Sequence, residues 1–156
     1  NYVRPACHSL AVQHGPALYR RPDLAISYLH NPPGWITIMK LATLTAPLEA
    51  LHAASADIIL VTLISSDGMP VLHIGEGLDY DEQSALFFEM KKACDRVLDG
   101  LRQGHSEEIF IRCREGCICI WPVGDMVFAC LARPSVNSQR MQMLAWKTVS
   151  ALRNLL

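Results

Sequence analysis

Four of the six cysteines lie between Cys113 and Cys130, and the spacing Cys113-x3-Cys117-x-Cys119 is the first pattern in the chain that could do chemistry. Structural zinc sites prefer two paired-cysteine knuckles at loop tips. Cys113 and Cys117 flank one such turn, but no second knuckle follows, and Cys119 and Cys130 sit among Ile, Phe and Leu. Reduced cysteine in that setting packs as a small hydrophobe, so core packing rather than ligation is expected. Cys7-His8 with His14 and His30 is a second group, too irregularly spaced for a ligand set. His52, His73 and His105 are candidate bases, and Ser65, Ser66 and Cys117 candidate nucleophiles. None lies in a Gly-x-Ser-x-Gly elbow or beside a positioned partner, and each histidine is expected at the surface or half-buried. Gly75-Glu76-Gly77 is a lone Gly-x-Gly after an edge strand, short of a phosphate-binding motif. Asp79, Asp81, Glu82, Asp95 and Asp99 lack metal-loop spacing and read as helix-start and solvent-face charge. No catalytic residue, cofactor or metal is expected.

The elements that must position these residues are easier to read. Glu107 to Cys113, Cys117 to Val123 and Met126 to Ala132 are short apolar runs separated by Arg114-Glu115-Gly116 and Gly124-Asp125, the signature of an antiparallel meander. The second and third runs are apolar on both alternate faces and need a cover on each side. The first carries Glu108, Arg112 and Arg114 on one face, which suits an edge. Upstream, Leu41, Leu44, Leu48 and Leu51 form the stripe of a short helix, with Thr45 as its cap and Pro47 in its first turn. Asp57 to Ile64 is a buried strand, Ser65 to Gly68 a turn, and Met69 to Ile74 the returning strand, with Pro70 at an edge. Asp81 caps a long helix that stops at Gly104. Its spacing makes Leu86, Met90, Ala93, Cys94, Val97 and Leu101 the core stripe, with Phe87 and Leu98 on the flank, and leaves Phe88 opposite, among Lys92, Asp95 and Asp99. A last helix, capped by Asn137 or Ser138, carries the stripe Met141, Leu144, Ala145, Thr148, Leu152 and Leu155, with Met143 and Trp146 off it.

At 156 residues one domain is the default. A net charge of -1 and the lack of any basic cluster beyond pairs such as Lys91-Lys92 argue against a nucleic-acid partner, and no apolar run is long enough for direct membrane insertion. Cysteines placed inside strands fit a reducing, cytosolic setting. Residues 1 to 38 differ from the rest: five Pro, three Arg, one Asp and scattered aromatics without a sustained period. They read as an irregular extension, partly docked, ahead of a domain spanning 39 to 156. An arginine-containing, acid-poor start also fits an organelle transit peptide, but Pro22, Pro32 and Pro33 would break its amphipathic helix. Tyr19, Ile26, Tyr28, Leu29 and Trp35 make the segment too apolar for a free tail.

The order helix, hairpin, long helix, three-stranded meander, helix resembles the roadblock (dynein light chain) domain. The residues that carry the resemblance are Ile58-Ile59-Leu60-Val61 followed by Ser66-Asp67-Gly68-Met69-Pro70-Val71, then Gly116 to Val127. It implies an α+β fold, a three-layer sandwich with a five-stranded antiparallel sheet, the long helix on one face and the other two on the opposite face. It also implies a non-catalytic scaffold or adaptor subunit that pairs with a roadblock-type protein, as a homo- or heterodimer, and binds or regulates a Ras-like small GTPase. The length of the last helix points within the family to a Ragulator-like or other GTPase-scaffold member, the former acting in TOR signalling and held at a lysosome or vacuole through its partners. A dynein-associated light chain linking motor and cargo is the alternative of the same fold, and a small-molecule sensor or enzyme on a profilin- or PAS-like sandwich the alternative of another class. The partner interface expected from the resemblance together with the off-stripe apolar residues comprises Phe88, Lys92, Asp95, Asp99, Glu108, Phe110, Arg112, Met143 and Trp146.

Overall fold

The computed structural model describes residues 38–75 and 79–156. The elements run α1 (Ile38–Ala53), β1 (Ile58–Ile64), β2 (Pro70–Gly75), α2 (Tyr80–Gly100), β3 (Ile109–Cys113), β4 (Gly116–Val123), β5 (Met126–Ala132) and α3 (Ser138–Leu155). All five strands join in one sheet of order β2-β1-β5-β4-β3, and every neighbouring pair is antiparallel. The α+β sandwich read from the sequence is thus the observed fold. The extension before α1 and the Gly75-Glu76-Gly77 turn beyond Gly75 lie outside the described residues.

The two faces of the sheet bury two separate cores because side chains alternate along each strand. On one face, Leu41, Leu44, Leu48 and Leu51 of α1 and Met141, Ala145, Val149 and Leu152 of α3 pack on Ile58, Leu63, Leu72, Cys119, Trp121, Phe128 and Cys130. On the other, Phe87 of α2 packs on Leu60, Ile64, Ile109, Ile120, Val127 and Ala129. Pro70 opens the outer strand β2, where its missing N–H costs no inner ladder bond.

The helix boundaries differ from the sequence reading in instructive ways. Thr45 does not cap α1 but lies inside it, its hydroxyl donating back to the Leu41 carbonyl at 2.9 Å. The leucine stripe carries the helix through Thr45 and past Pro47. Asp79, not Asp81, caps α2: its carboxylate accepts the Glu82 N–H at 3.0 Å, which leaves Asp81 and Glu82 as first-turn charge beside the positive end of the helix. The helix ends at Gly100 with Leu101 as its cap residue, before Gly104 is reached. Asn137 caps α3, accepting the Arg140 N–H at 2.9 Å. The α3 stripe gains Val149, which the sequence pattern passed over, while Leu155 at the frayed end is exposed.

A candidate protein-interaction surface

The long helix is rotated from the orientation its periodicity suggests. Ser84, Phe87 and Lys91 are its buried residues, whereas Leu86, Val97 and Leu101 of the expected core stripe are 61%, 62% and 63% exposed. Met90 and Cys94, on the border of that stripe, pack partly against the sheet. The sequence reading is corrected on a second point too. Phe88 has a home within the chain: it joins the same core, and its ring lies so close to Gly68 that a Cβ there would sit 3.0 Å from the Phe88 Cδ1. Lys92 stacks over that ring, with Nζ 5.4 Å from its centroid, and pairs with Glu89.

Asp95 is committed inward as well. It forms an ion pair with Lys91 and accepts both the N–H and the hydroxyl of Ser106, at 2.9 and 2.7 Å. Burial alone would raise its pKa, but these donors and the Lys91 charge overcome that and hold it down at about 2. The set stitches the second half of α2 to the loop that enters β3. Only Asp99 of the four expected α2 contacts stands free in solvent.

The backbone of α2 approaches β2 and β1 most closely, so the far side of the same face is thinly covered. Leu131, Ile118 and Ile111 lie opposite one another across β5, β4 and β3, and all three are half-buried, whereas Ala129, Ile120 and Ile109 in the adjoining row are buried. The exposed flank of α2 and this half-covered row together leave apolar surface open on this side of the molecule. It ends at β3, which has no neighbour on its outer side among the described residues, leaving the backbone groups of that border unpaired in a sheet.

The other expected contacts lie on the opposite face. Phe110 packs against the larger core, Arg112 donates to the Ser138 hydroxyl at 2.7 Å, and Glu108 accepts from the Gln142 amide at 3.1 Å. Trp146 is 59% exposed and Met143 is also exposed on α3. The nine expected residues therefore divide between two faces instead of forming one patch.

The groups with chemical potential are packed away. Burial pushes the Cys119 thiol up to about 12, with Glu108 and Cys117 adding to the effect, and raises Cys130 well above the ordinary range, Cys119 adding; both are neutral thiols in a close-packed core, inert as nucleophiles. His73, expected at or near the surface, is fully buried. Its ring meets that of Tyr80 at 3.8 Å between centroids, tilted by 46°, neither ring nitrogen has a hydrogen-bond partner, and burial pushes its pKa down to about 4. Among the described residues no group of three His, Cys, Asp or Glu could hold a metal, and no helix is long and apolar enough to cross a membrane. Cys7, His8, His14 and His30 lie outside the described residues.

No protein-family model matches the chain, and no curated protein matches its sequence. Solved structures do. MglB of Myxococcus xanthus superposes with a TM-score of 0.70 at 13% identity, covering 77% of this chain and 92% of that one. A structure described as MglB with a tetrameric arrangement gives 0.71 at 12% identity, covering 80% and 96%. A Roadblock/LC7 domain from Streptomyces avermitilis gives 0.62 at 16% identity, covering 70% and 93%. At these identities the likeness is one of fold, and the fold is that of the roadblock domain.

Proposed function

We propose that the chain is a non-catalytic roadblock-type subunit that pairs with a like domain through α2 and the β3 border, the joined surface then receiving a Ras-like small GTPase. The observation that carries the proposal is the exposed stripe of α2 beside the half-covered row Leu131, Ile118 and Ile111. Covering the exposed part of a side chain such as Leu86 or Val97 contributes roughly 1–2 kcal/mol, and pairing at the β3 edge would satisfy its free backbone groups. The GTPase part rests on the resemblance to the roadblock domain. Within that class, the 18-residue α3 favours a Ragulator-like scaffold, held at a lysosomal or vacuolar surface through its partners, over a short dynein-type light chain.

The stripe also favours a second copy of this chain as the partner. Leu86 and Val97 are equidistant from the midpoint between Lys91 and Lys92, as are Met90 and Ala93, so two such helices laid antiparallel place Leu86 against Val97 and Met90 against the small Ala93 in both directions. Glu89 then falls within about 3 Å along the axis of Arg96 on the other helix. A two-fold interface needs this self-complementarity. The test is coexpression of the full chain with a panel of Ras-like GTPases, followed by isolation and mass measurement of the assembly. The expected result is a complex of two copies of the chain with a GTPase; a chain that stays alone with every GTPase, or retains only dynein intermediate-chain peptides, contradicts it.

A further inference from the structure

The opposite face carries a groove of about 610 Å³ between α3 and the start of β3, whose lining includes Glu107, Glu108, Trp121, Pro122, Trp146 and Arg153. We propose that it is a docking site for an extended, basic, proline-containing segment, and that the occupant is this chain's own Tyr19-Arg20-Arg21-Pro22 stretch. The proposal does not depend on pairing through α2.

Three observations point to that occupant. The first is chemistry. Trp146, more than half open to solvent, lines the groove with the half-buried Pro122, while Trp121 is buried in the core, and an exposed tryptophan is the kind of surface on which proline-bearing extended peptides lie. At its rim Glu107 and Glu108 are exposed and form no ion pair among the described residues. Arg153, the nearby cation, is turned to the Pro122 carbonyl at 3.0 Å. Two carboxylates without a cationic partner, Glu108 holding only the Gln142 amide, beside a tryptophan suit a peptide that brings arginine next to proline.

The second is composition. Residues 1–37 contain Arg4, Arg20 and Arg21 against the single acid Asp23, and Arg21 precedes Pro22, which biases it toward the extended conformation such a groove accepts. Charge and shape therefore match in one four-residue stretch.

The third is reach. Arg153, near the end of α3, lies at Pro122, while the start of α3 lies by Arg112 at the far end of β3. The end of α1 lies at the opposite end of the sheet from Arg153, because His52 sits beside Gly75 and Ile59, so the start of α1 and the groove share one end of the molecule. The roughly 16 residues between Pro22 and Ile38 span about 50 Å when extended. Five strands at their usual spacing cover only about 20 Å, so the stretch reaches the groove with slack.

The test replaces Trp146 with the photo-cross-linker benzoylphenylalanine in the full chain, irradiates it, and maps the products by mass spectrometry. The expected product has the mass of one chain and joins position 146 to the peptide holding Arg20 to Pro22. A product joining two chains, a cross-link elsewhere, or none into residues 1–37 overturns the proposal. Glu107→Arg with Glu108→Arg should lower the cross-link yield about five-fold, the worth of two exposed ion pairs. Adding Arg20→Glu and Arg21→Glu should restore it. An unchanged yield in the first variant, or no recovery in the second, also overturns it; all these positions outside 1–37 are exposed, so the fold should survive each change.

Discussion

Buried opposite Thr62 in the sheet with neither ring nitrogen hydrogen-bonded, His73 ties the stability of the fold to pH. Its pKa is near 4 in the folded chain and about 6.5 when unfolded, so the unfolded chain binds the extra proton as pH falls below 6.5. Stability is therefore full above that value and falls between pH 6.5 and 4, by at most about 3 kcal/mol at 1.36 kcal/mol per unit. Asp95, held near 2, adds a loss that begins only below its ordinary pKa of 3.8. Denaturant unfolding of wild type and His73→Phe at several pH values should show the wild type losing up to about 3 kcal/mol relative to the variant between pH 6.5 and 4, whatever the variant's absolute stability; parallel profiles would contradict the assignment. The cysteines give a second residue-scale prediction. In a Cys7→Ser background, a thiol reagent should modify the exposed Cys113 promptly in the native state, and Cys117, Cys119 and Cys130 only on unfolding. Prompt native-state modification of Cys119 or Cys130 would show the core to be open. The strand pattern foretold those buried thiols. It could not foretell His73, since one polar residue in an apolar run does not reveal that its own face is covered.

At the scale of elements, α2 shows where sequence reasoning reached its limit. The helix has apolar residues on two sides: Phe87, with Phe88 and Leu98 partly covered, toward the sheet, and Leu86, Ala93 and Val97 away from it. Periodicity finds the larger stripe but cannot say whether a chain's own sheet or another chain covers it. The strands had less ambiguity, because β4 and β5 are apolar on both faces and need a cover on each, whichever chain supplies it. The Asp79 cap was missed for a related reason: Asp79 and Asp81 both precede the apolar run, and only backbone geometry decides which accepts the Glu82 N–H. Phe87→Ala should cost about 3 kcal/mol or more in denaturant unfolding, as truncation of a buried aromatic does. Leu86→Lys should leave the circular dichroism of the folded subunit unchanged. If Leu86→Lys unfolds the chain and Phe87→Ala does not, the orientation of α2 is wrong. In the β1–β2 hairpin, a Cβ on Gly75 would lie 2.1 Å from the Ile59 carbonyl oxygen, and its φ of +118° is unfavourable for any side chain. Gly75→Ala should destabilise by well over about 1 kcal/mol, read as a lowered melting temperature.

At the scale of the whole molecule, two helices cover one face of the sheet while a single helix covers only part of the other, and β3 ends the sheet without a neighbour among the described residues. That asymmetry is what the proposed function rests on: the half-covered row, the exposed stripe of α2 and the open edge are the surfaces that a second copy would complete. Sedimentation velocity of the full chain over a hundred-fold concentration range, alongside the Leu86→Lys/Val97→Lys variant, tests this most directly. The expected result is a wild-type species with the mass of two chains and a folded variant with the mass of one. A wild type that remains a single chain at every concentration, or a variant that still pairs, would contradict it.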